Sequence, residues 1–205
     1  MAQRGAYAKG VAKREEILAA ALEVIAREGY GRASVRELAE AVGLSQAGLL
    51  HYFGTKEELF AAVLRKRDET DLARINDAAG PTSTFEGFRR IIGRNADVPG
   101  LIQLYVRLQA EATDAAHPAH AFFAERTRTF RELVGADIRR MQAEGRVRAD
   151  LDADQAAMLL LASADGLQVQ WLMDGSVDMA AHVSALLRLL EPADASAAQA
   201  PPAEG

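Results

Sequence analysis

Residues 34–60 read Ser34-Val-Arg-Glu-Leu-Ala-Glu-Ala-Val-Gly43-Leu-Ser45-Gln-Ala-Gly-Leu-Leu-His-Tyr-Phe-Gly54-Thr55-Lys-Glu-Glu-Leu-Phe60. Three helix starts and a glycine turn fall within this one stretch. Ser34 with Glu37 forms a capping box: the serine oxygen satisfies an orphan N–H of the first turn, and the glutamate reaches back to the cap residue. Val35, Leu38, Ala39 and Val42 then come at the spacing of one buried helical face, and Gly43 supplies the left-handed residue that ends the helix. Ser45 caps a second short helix, Gln46 to about Tyr52, in which Leu49 and Phe53 lie four apart and face the first. Gln46, Ala47, Leu50 and His51 are left outside. Gly54 breaks this helix, and Thr55 with Glu58 opens a third that carries Lys56 in its first turn.

Two helices joined by a tight glycine turn, the second short, meet the requirements for laying a helix into the major groove of DNA. Lys56 strengthens that reading, because a cation in a first turn opposes the helix dipole and a phosphate at the same spot resolves the conflict. Residues 14–60 resemble the DNA-binding domain of the TetR family of transcriptional regulators. The likeness runs from a first helix through Val-Gly-Leu-Ser (42–45), a short helix ending in Tyr52-Phe53, and then Thr-Lys-Glu-Glu-Leu (55–59). Leu50 departs from it, standing where the family commonly has a tyrosine that touches DNA. The resemblance implies a double-stranded operator as partner, met through Ser34, Arg36, Ser45, Gln46, Ala47, Gly48, Leu50, His51, Tyr52 and Lys56.

At 205 residues and 49% hydrophobic, the chain is long enough to bury a core in one small and one larger helical unit. It has no cysteine, so disulfides and thiolate metal sites are excluded. No stretch is expected to reach the roughly 20 apolar residues of a membrane span, and the first residues lack the apolar core of a signal peptide. A cytoplasmic protein without a membrane partner is therefore expected. The net charge of −5 becomes consistent with DNA binding once divided: residues 1–56 hold eight Lys/Arg against six Asp/Glu (+2), leaving 16 against 23 (−7) for the remainder. Arg4, Lys9, Lys13 and Arg14 are basic, and residues 1–13 read as a flexible basic arm that either solubilises the chain or touches DNA.

The remaining chain reads as helices throughout, an all-α fold. Arg14–Glu28 buries Ile17, Leu18, Ala21, Leu22, Val24 and Ile25 and stops at Gly29. The helix opened by Thr55 runs to about Gly80-Pro81, with Leu72 and Ile75 placed to pack against the later helices. Further helices cover Thr84 to about Ala96, one opened by Pro99, and Pro118 to about Glu144, the last with Phe122, Phe123, Phe130, Leu133, Ile138 and Met141 at helical intervals. The domains expected are the arm at 1–13, the helix-turn-helix at 14–60, a helical ligand-binding and dimerisation domain at 61–191, and a disordered Ala/Pro-rich tail at 192–205.

Asp150, Asp152 and Asp154 resemble the start of a calcium loop, but the glycine and glutamate that complete one are missing, so helix capping by Asp152 is the better reading. His117 and His120, with Asp114 upstream, sit around Pro118, where a solvated turn is favoured over a metal site. No metal or cofactor is expected, and no catalytic motif is present. The helices from about Asp154 to Met173 and Met179 to Leu190 are apolar beyond one buried face. Leu160, Leu167, Trp171, Val183, Leu186, Leu187 and Leu190 are thus candidates for a homodimer interface, which the TetR resemblance also implies. That resemblance further implies a cavity among the helices for a small-molecule effector. Its candidate residues are the aromatic or apolar Phe88, Tyr105, Phe123, Phe130 and Met158 with the polar Gln109, Arg126, Asp165 and Gln168. The composition of these walls points to an apolar or aromatic effector. The leading reading is a homodimeric repressor released from a palindromic operator by its effector. Ala47, Gly48 and Leu50 are meagre base readers, which leaves a helical ligand-binding protein with a degenerate head as the alternative.

Overall fold

A computed structural model describes residues 2–29, 34–77 and 84–192. Within them the chain forms nine α-helices and no strand: α1 Ala2–Glu28, α2 Val35–Ala41, α3 Gln46–Phe53, α4 Lys56–Asp77, α5 Thr84–Arg94, α6 Pro99–Glu111, α7 His120–Ala143, α8 Ala153–Met173 and α9 Met179–Arg188. A single 3-10 turn, Asn95–Asp97, links α5 to α6. The all-α expectation holds. The expected end of α4 near Gly80-Pro81, the loop at 30–33 and the tail from 193 onward lie outside the described residues, as does the side chain of Ile75.

The sequence boundaries need one large correction, at the N-terminus. Helix α1 begins at Ala2, so residues 2–13 continue the helix where an arm was expected. Alanine, glutamine, arginine and lysine are good helix formers, no proline interrupts them, and the two glycines weaken the helix without breaking it. At the other end of this helix Gly29 adopts a positive φ of 81°, as its role in stopping the helix requires. Helix α7 begins at His120, two residues beyond Pro118, because residues 112–119 are held as successive turns by bonds such as His117 N–H to Asp114 C=O (3.0 Å).

The chain folds into two compact units. One comprises residues 1–80 and 94–124, the other 81–93 and 125–205, so α6 and the start of α7 join the unit that contains the helix-turn-helix. This division falls elsewhere than the expected one at residue 60. In the first unit α1, α2, α3, α4 and α6 enclose a core built on Ile17, Ile25, Leu38, Leu49, Phe60 and Leu104. Burying such side chains contributes on the order of 1.5–3 kcal/mol each. The approach of α6 to α1 is close: a Cβ added at Gly100 would lie 2.2 Å from the Ile25 carbonyl oxygen and 2.7 Å from Gly29 Cα. Glycine is required there by space, whatever its conformation.

The second unit packs Ile138 and Met141 of α7, Ala157 and Leu160 of α8, and Val183 and Leu187 of α9 around one core, with Phe85 and Ile92 of α5. Asp152 caps α8, its side chain accepting from Asp154 N–H (2.9 Å) and Gln155 N–H (2.8 Å), and Asp154 pairs with Arg139 at 2.9 Å. Helix α8 is also long and apolar enough to cross a membrane, contrary to the expectation that no segment is. The same composition suits a helix that packs on one face against α9 and leaves another apolar face outside.

Candidate DNA-binding surface and effector region

The short helix α3 is braced at both ends by its own sequence. Before it, the capping box of α2 is complete: Ser34 Oγ accepts from Glu37 N–H (3.2 Å), and Glu37 Oε2 accepts from Ser34 N–H (2.8 Å). Gly43, at a φ of 68°, turns the chain, and Leu44 N–H reaches back to the Ala39 carbonyl (2.8 Å). Ser45 Oγ then accepts from Gly48 N–H at 3.0 Å and starts α3. At its far end Gly54 stops the helix, and Thr55 and Glu58 exchange the bonds of a second capping box, at 2.8 and 3.1 Å. Leu49 and Phe53 point into the core, which fixes the opposite face of α3 toward solvent.

That outward face carries Gln46, Ala47 and His51, all exposed, with Lys56 exposed at the start of α4. Leu50, expected outside, is half-buried, as are Gly48 and Tyr52. Tyr52 packs on the core and its ring meets that of His51 edge-on, 6.1 Å between centroids. A Cβ at Gly48 would come within 3.2 Å of Ser45 Oγ, so the small residue keeps the cap undisturbed. Lys56 Nζ lies 5.5 Å from the centre of the Phe60 ring, which steers the ammonium while leaving it in water. Arg36 is exposed but holds Glu40 at 2.9 Å, and the hydroxyls of Ser34 and Ser45 are occupied as caps.

Two cations from the stretch expected as an arm and its border instead brace the head. Lys13 Nζ bonds Glu16 (2.8 Å) and the Val42 carbonyl (3.4 Å) at the end of α2, and the Arg14 guanidinium stands 4.8 Å from the centre of the Phe53 ring. No local pattern marks them, since Val42 and Phe53 are far from them along the chain. Lys66 is likewise tied to Glu15 at 2.6 Å, a hydrogen bond that raises its pKa.

The residues proposed for an effector cavity fall into both units. Tyr105, Gln109 and Phe123 belong to the first. There Tyr105 and Phe123 are buried with ring centroids 5.6 Å apart, and Gln109 Nε2 donates to the Tyr105 hydroxyl (3.0 Å). Both rings lie in the core of this unit. In the second unit Arg126 lies over the Phe130 ring at 4.7 Å, Phe88 is half-buried against the core, and Asp165 is half-buried. Gln168 is buried and donates to the Ala164 carbonyl at 3.2 Å, so its amide is used within α8. Met158 is a clear correction: it is exposed, on an open depression it shares with Arg131, Arg139 and Asp154.

The proposed dimer residues separate by burial. Leu160, Val183 and Leu187 are spent on the core of their own subunit, at 2%, 0% and 7% exposure, and are withdrawn as interface residues. Leu167, Trp171, Leu186 and Leu190 line the margin of that core. The apolar side chains left in water are others: Leu159, Met173 and Leu189, at 64%, 83% and 70%. Leu133, expected on a core-facing stripe, is also exposed, as is Leu72 on α4. No cluster of metal-ligating side chains occurs among the described residues. His117 Nδ1 accepts from Ala119 N–H, and His120 Nδ1 bonds the Ala112 carbonyl at 2.8 Å, both as parts of the turn.

Residues 17–63 match the model for bacterial regulatory proteins of the tetR family, and residues 98–194 match that for the C-terminal region of BetI-type transcriptional repressors. The chain is 31% identical to the HTH-type transcriptional repressor AcnR of Corynebacterium efficiens over 77% of its own length and 81% of that protein's. The chain belongs to the TetR family. Its N-terminal helices are those of a helix-turn-helix transcriptional regulator of that family. A TetR-family transcriptional regulator from Rhodococcus sp. has the same fold (TM-score 0.70, 22% identity, covering 88% of this chain and 98% of that one). So does a transcriptional regulator from Saccharomonospora viridis in complex with choline (TM-score 0.64, 25% identity, covering 85% and 93%). The TetR-family match covers the stretch in which α2, α3 and the start of α4 present Gln46, Ala47, His51 and Lys56.

Proposed function

We propose that this TetR-family protein acts in the cytoplasm as a homodimer on an inverted-repeat operator and is released by a small apolar or aromatic effector. The observation that carries the DNA reading is α3 itself, capped at both ends, with Leu49 and Phe53 inward and Gln46, Ala47 and His51 outward. Lys56 positions the head on a phosphate, while Gln46 makes the bidentate contact to an adenine edge. The basic sequence around α1 to α3 supports the same placement. Dimerisation through α8 and α9 is supported by Leu159, Met173 and Leu189, whose exposure a subunit of this kind would relieve by pairing. A two-fold dimer demands a two-fold operator with half-sites about one helical turn apart or a multiple of it. The effector acts by favouring a state in which the two heads no longer match that spacing. Selection of bound fragments from the source genome tests the proposal. An enriched inverted repeat upholds it, and the absence of any enriched sequence overturns it.

A further inference from the structure

The first unit contains a cavity of about 290 Å³ walled by α1, α4 and the 3-10 turn that leads into α6. This size lies near the lower end of the range for small-molecule sites. Its apolar surface comes from Leu22 and Ala26 of α1 with Val98 and Leu101. Beside that surface stands an incompletely used set of charges. Asp71 is mostly buried, yet it accepts no hydrogen bond among the described residues: its two ion-pair partners, Arg67 and Arg74, stand at 3.6 and 3.8 Å. Both distances exceed those of a charge-assisted hydrogen bond. Arg67 spends a donor on Asn95, itself buried. Arg94, on the same wall, has no ion pair or hydrogen bond among the described residues. Glu23, Arg74, Arg94 and Asp97 are all exposed where the cavity meets solvent.

A ligand that completes this set needs a donor for Asp71, a carboxylate for Arg94 and Arg74, and a short aliphatic body for the Leu22 and Leu101 side. We propose that the cavity is a second ligand site, separate from the effector region, for small aliphatic acids that carry an amino or hydroxyl group. Its walls are elements of the reading head and of the helix that follows it, so occupancy stiffens α1 against α4 and α6.

Calorimetric titration of the full-length protein tests this with three probes: L-leucine, 2-hydroxy-4-methylpentanoate and 4-methylpentanoate, the last without the donor. The first two should bind, and the third should bind roughly tenfold more weakly or worse. Asp71→Ala and Arg94→Ala should each weaken the donor-bearing acids by at least about tenfold. Ala26→Leu, which fills the cavity without touching any charge, should abolish binding while thermal denaturation shows the fold intact. If neither donor-bearing acid binds, if all three bind equally, or if Arg94→Ala and Ala26→Leu bind as the wild type does, the proposal fails. None of these readouts involves DNA, so the outcome is independent of the operator model.

Discussion

Gly100→Ala sets two opposing effects against each other at the junction of α6 and α1. In a helix, alanine is favoured over glycine by roughly 0.5–1 kcal/mol because less backbone entropy is lost on folding. Against that, the added methyl would sit 2.2 Å from the Ile25 carbonyl oxygen and 2.7 Å from Gly29 Cα. These are backbone atoms, which no side-chain rotation moves aside. Overpacking of this kind costs about 1–3 kcal/mol, so the clash wins by up to about 2.5 kcal/mol. For a chain of this length that corresponds to a fall in Tm of up to roughly 10 °C. Gly93→Ala is the matched control, since its methyl meets only the Ala180 methyl, at 3.6 Å, in the last turn of α5. It should hold or raise Tm. Thermal unfolding followed by circular dichroism reads both. A Gly100→Ala protein as stable as wild type would refute the close approach of α6 to α1.

Charge placed at the exposed Leu159 or Leu189 should dissociate the dimer and leave a folded monomer, whereas Val183→Asp should unfold the subunit; light scattering with circular dichroism distinguishes them, and a dimer that survives both exposed-site changes would discount the α8 and α9 face. Ser45→Ala removes the acceptor for Gly48 N–H and should cost about 1 kcal/mol, read as a lower denaturation midpoint. Burial holds the Asp71 carboxyl above the usual carboxylate range, outweighing Arg67, Arg74 and Arg94. The folded state therefore binds the proton more tightly than the unfolded one, and stability falls as pH rises from the ordinary aspartate pKa through the raised one. Asp71→Asn should flatten that fall, and an unchanged pH profile would count against it.

The helix-turn-helix is legible in the sequence because its determinants are local. Ser34 and Glu37, Ser45 and Gly48, and Thr55 and Glu58 are each three residues apart, and all three pairs make their expected backbone bonds. Periodicity locates the nine helices among the described residues for the same reason, except residues 2–13 of α1. It does not decide which side of an all-round apolar helix faces its own core, so Leu160 and Val183 look like interface residues while Leu159 and Met173 do not stand out. Nor does it show the structural use of Lys13 and Arg14, whose partners Val42 and Phe53 are distant in sequence. The effector residues are the least legible. Tyr105 and Phe123 look alike in sequence whether they fill a core or line a cavity, and their ring contact, 5.6 Å between centroids, joins residues 18 apart that no local pattern pairs.

The division of labour on the reading head is the central claim, and titrating Lys56→Ala and Gln46→Ala against operator and scrambled DNA over a range of salt tests it most directly. Lys56→Ala should weaken binding to every sequence alike and lower the salt slope by about two for a symmetric dimer. Gln46→Ala should cost about 1–3 kcal/mol per base contact on operator alone, with the slope nearly unchanged. A uniform loss for Gln46→Ala together with altered base preference for Lys56→Ala would contradict the docking of α3 in the major groove.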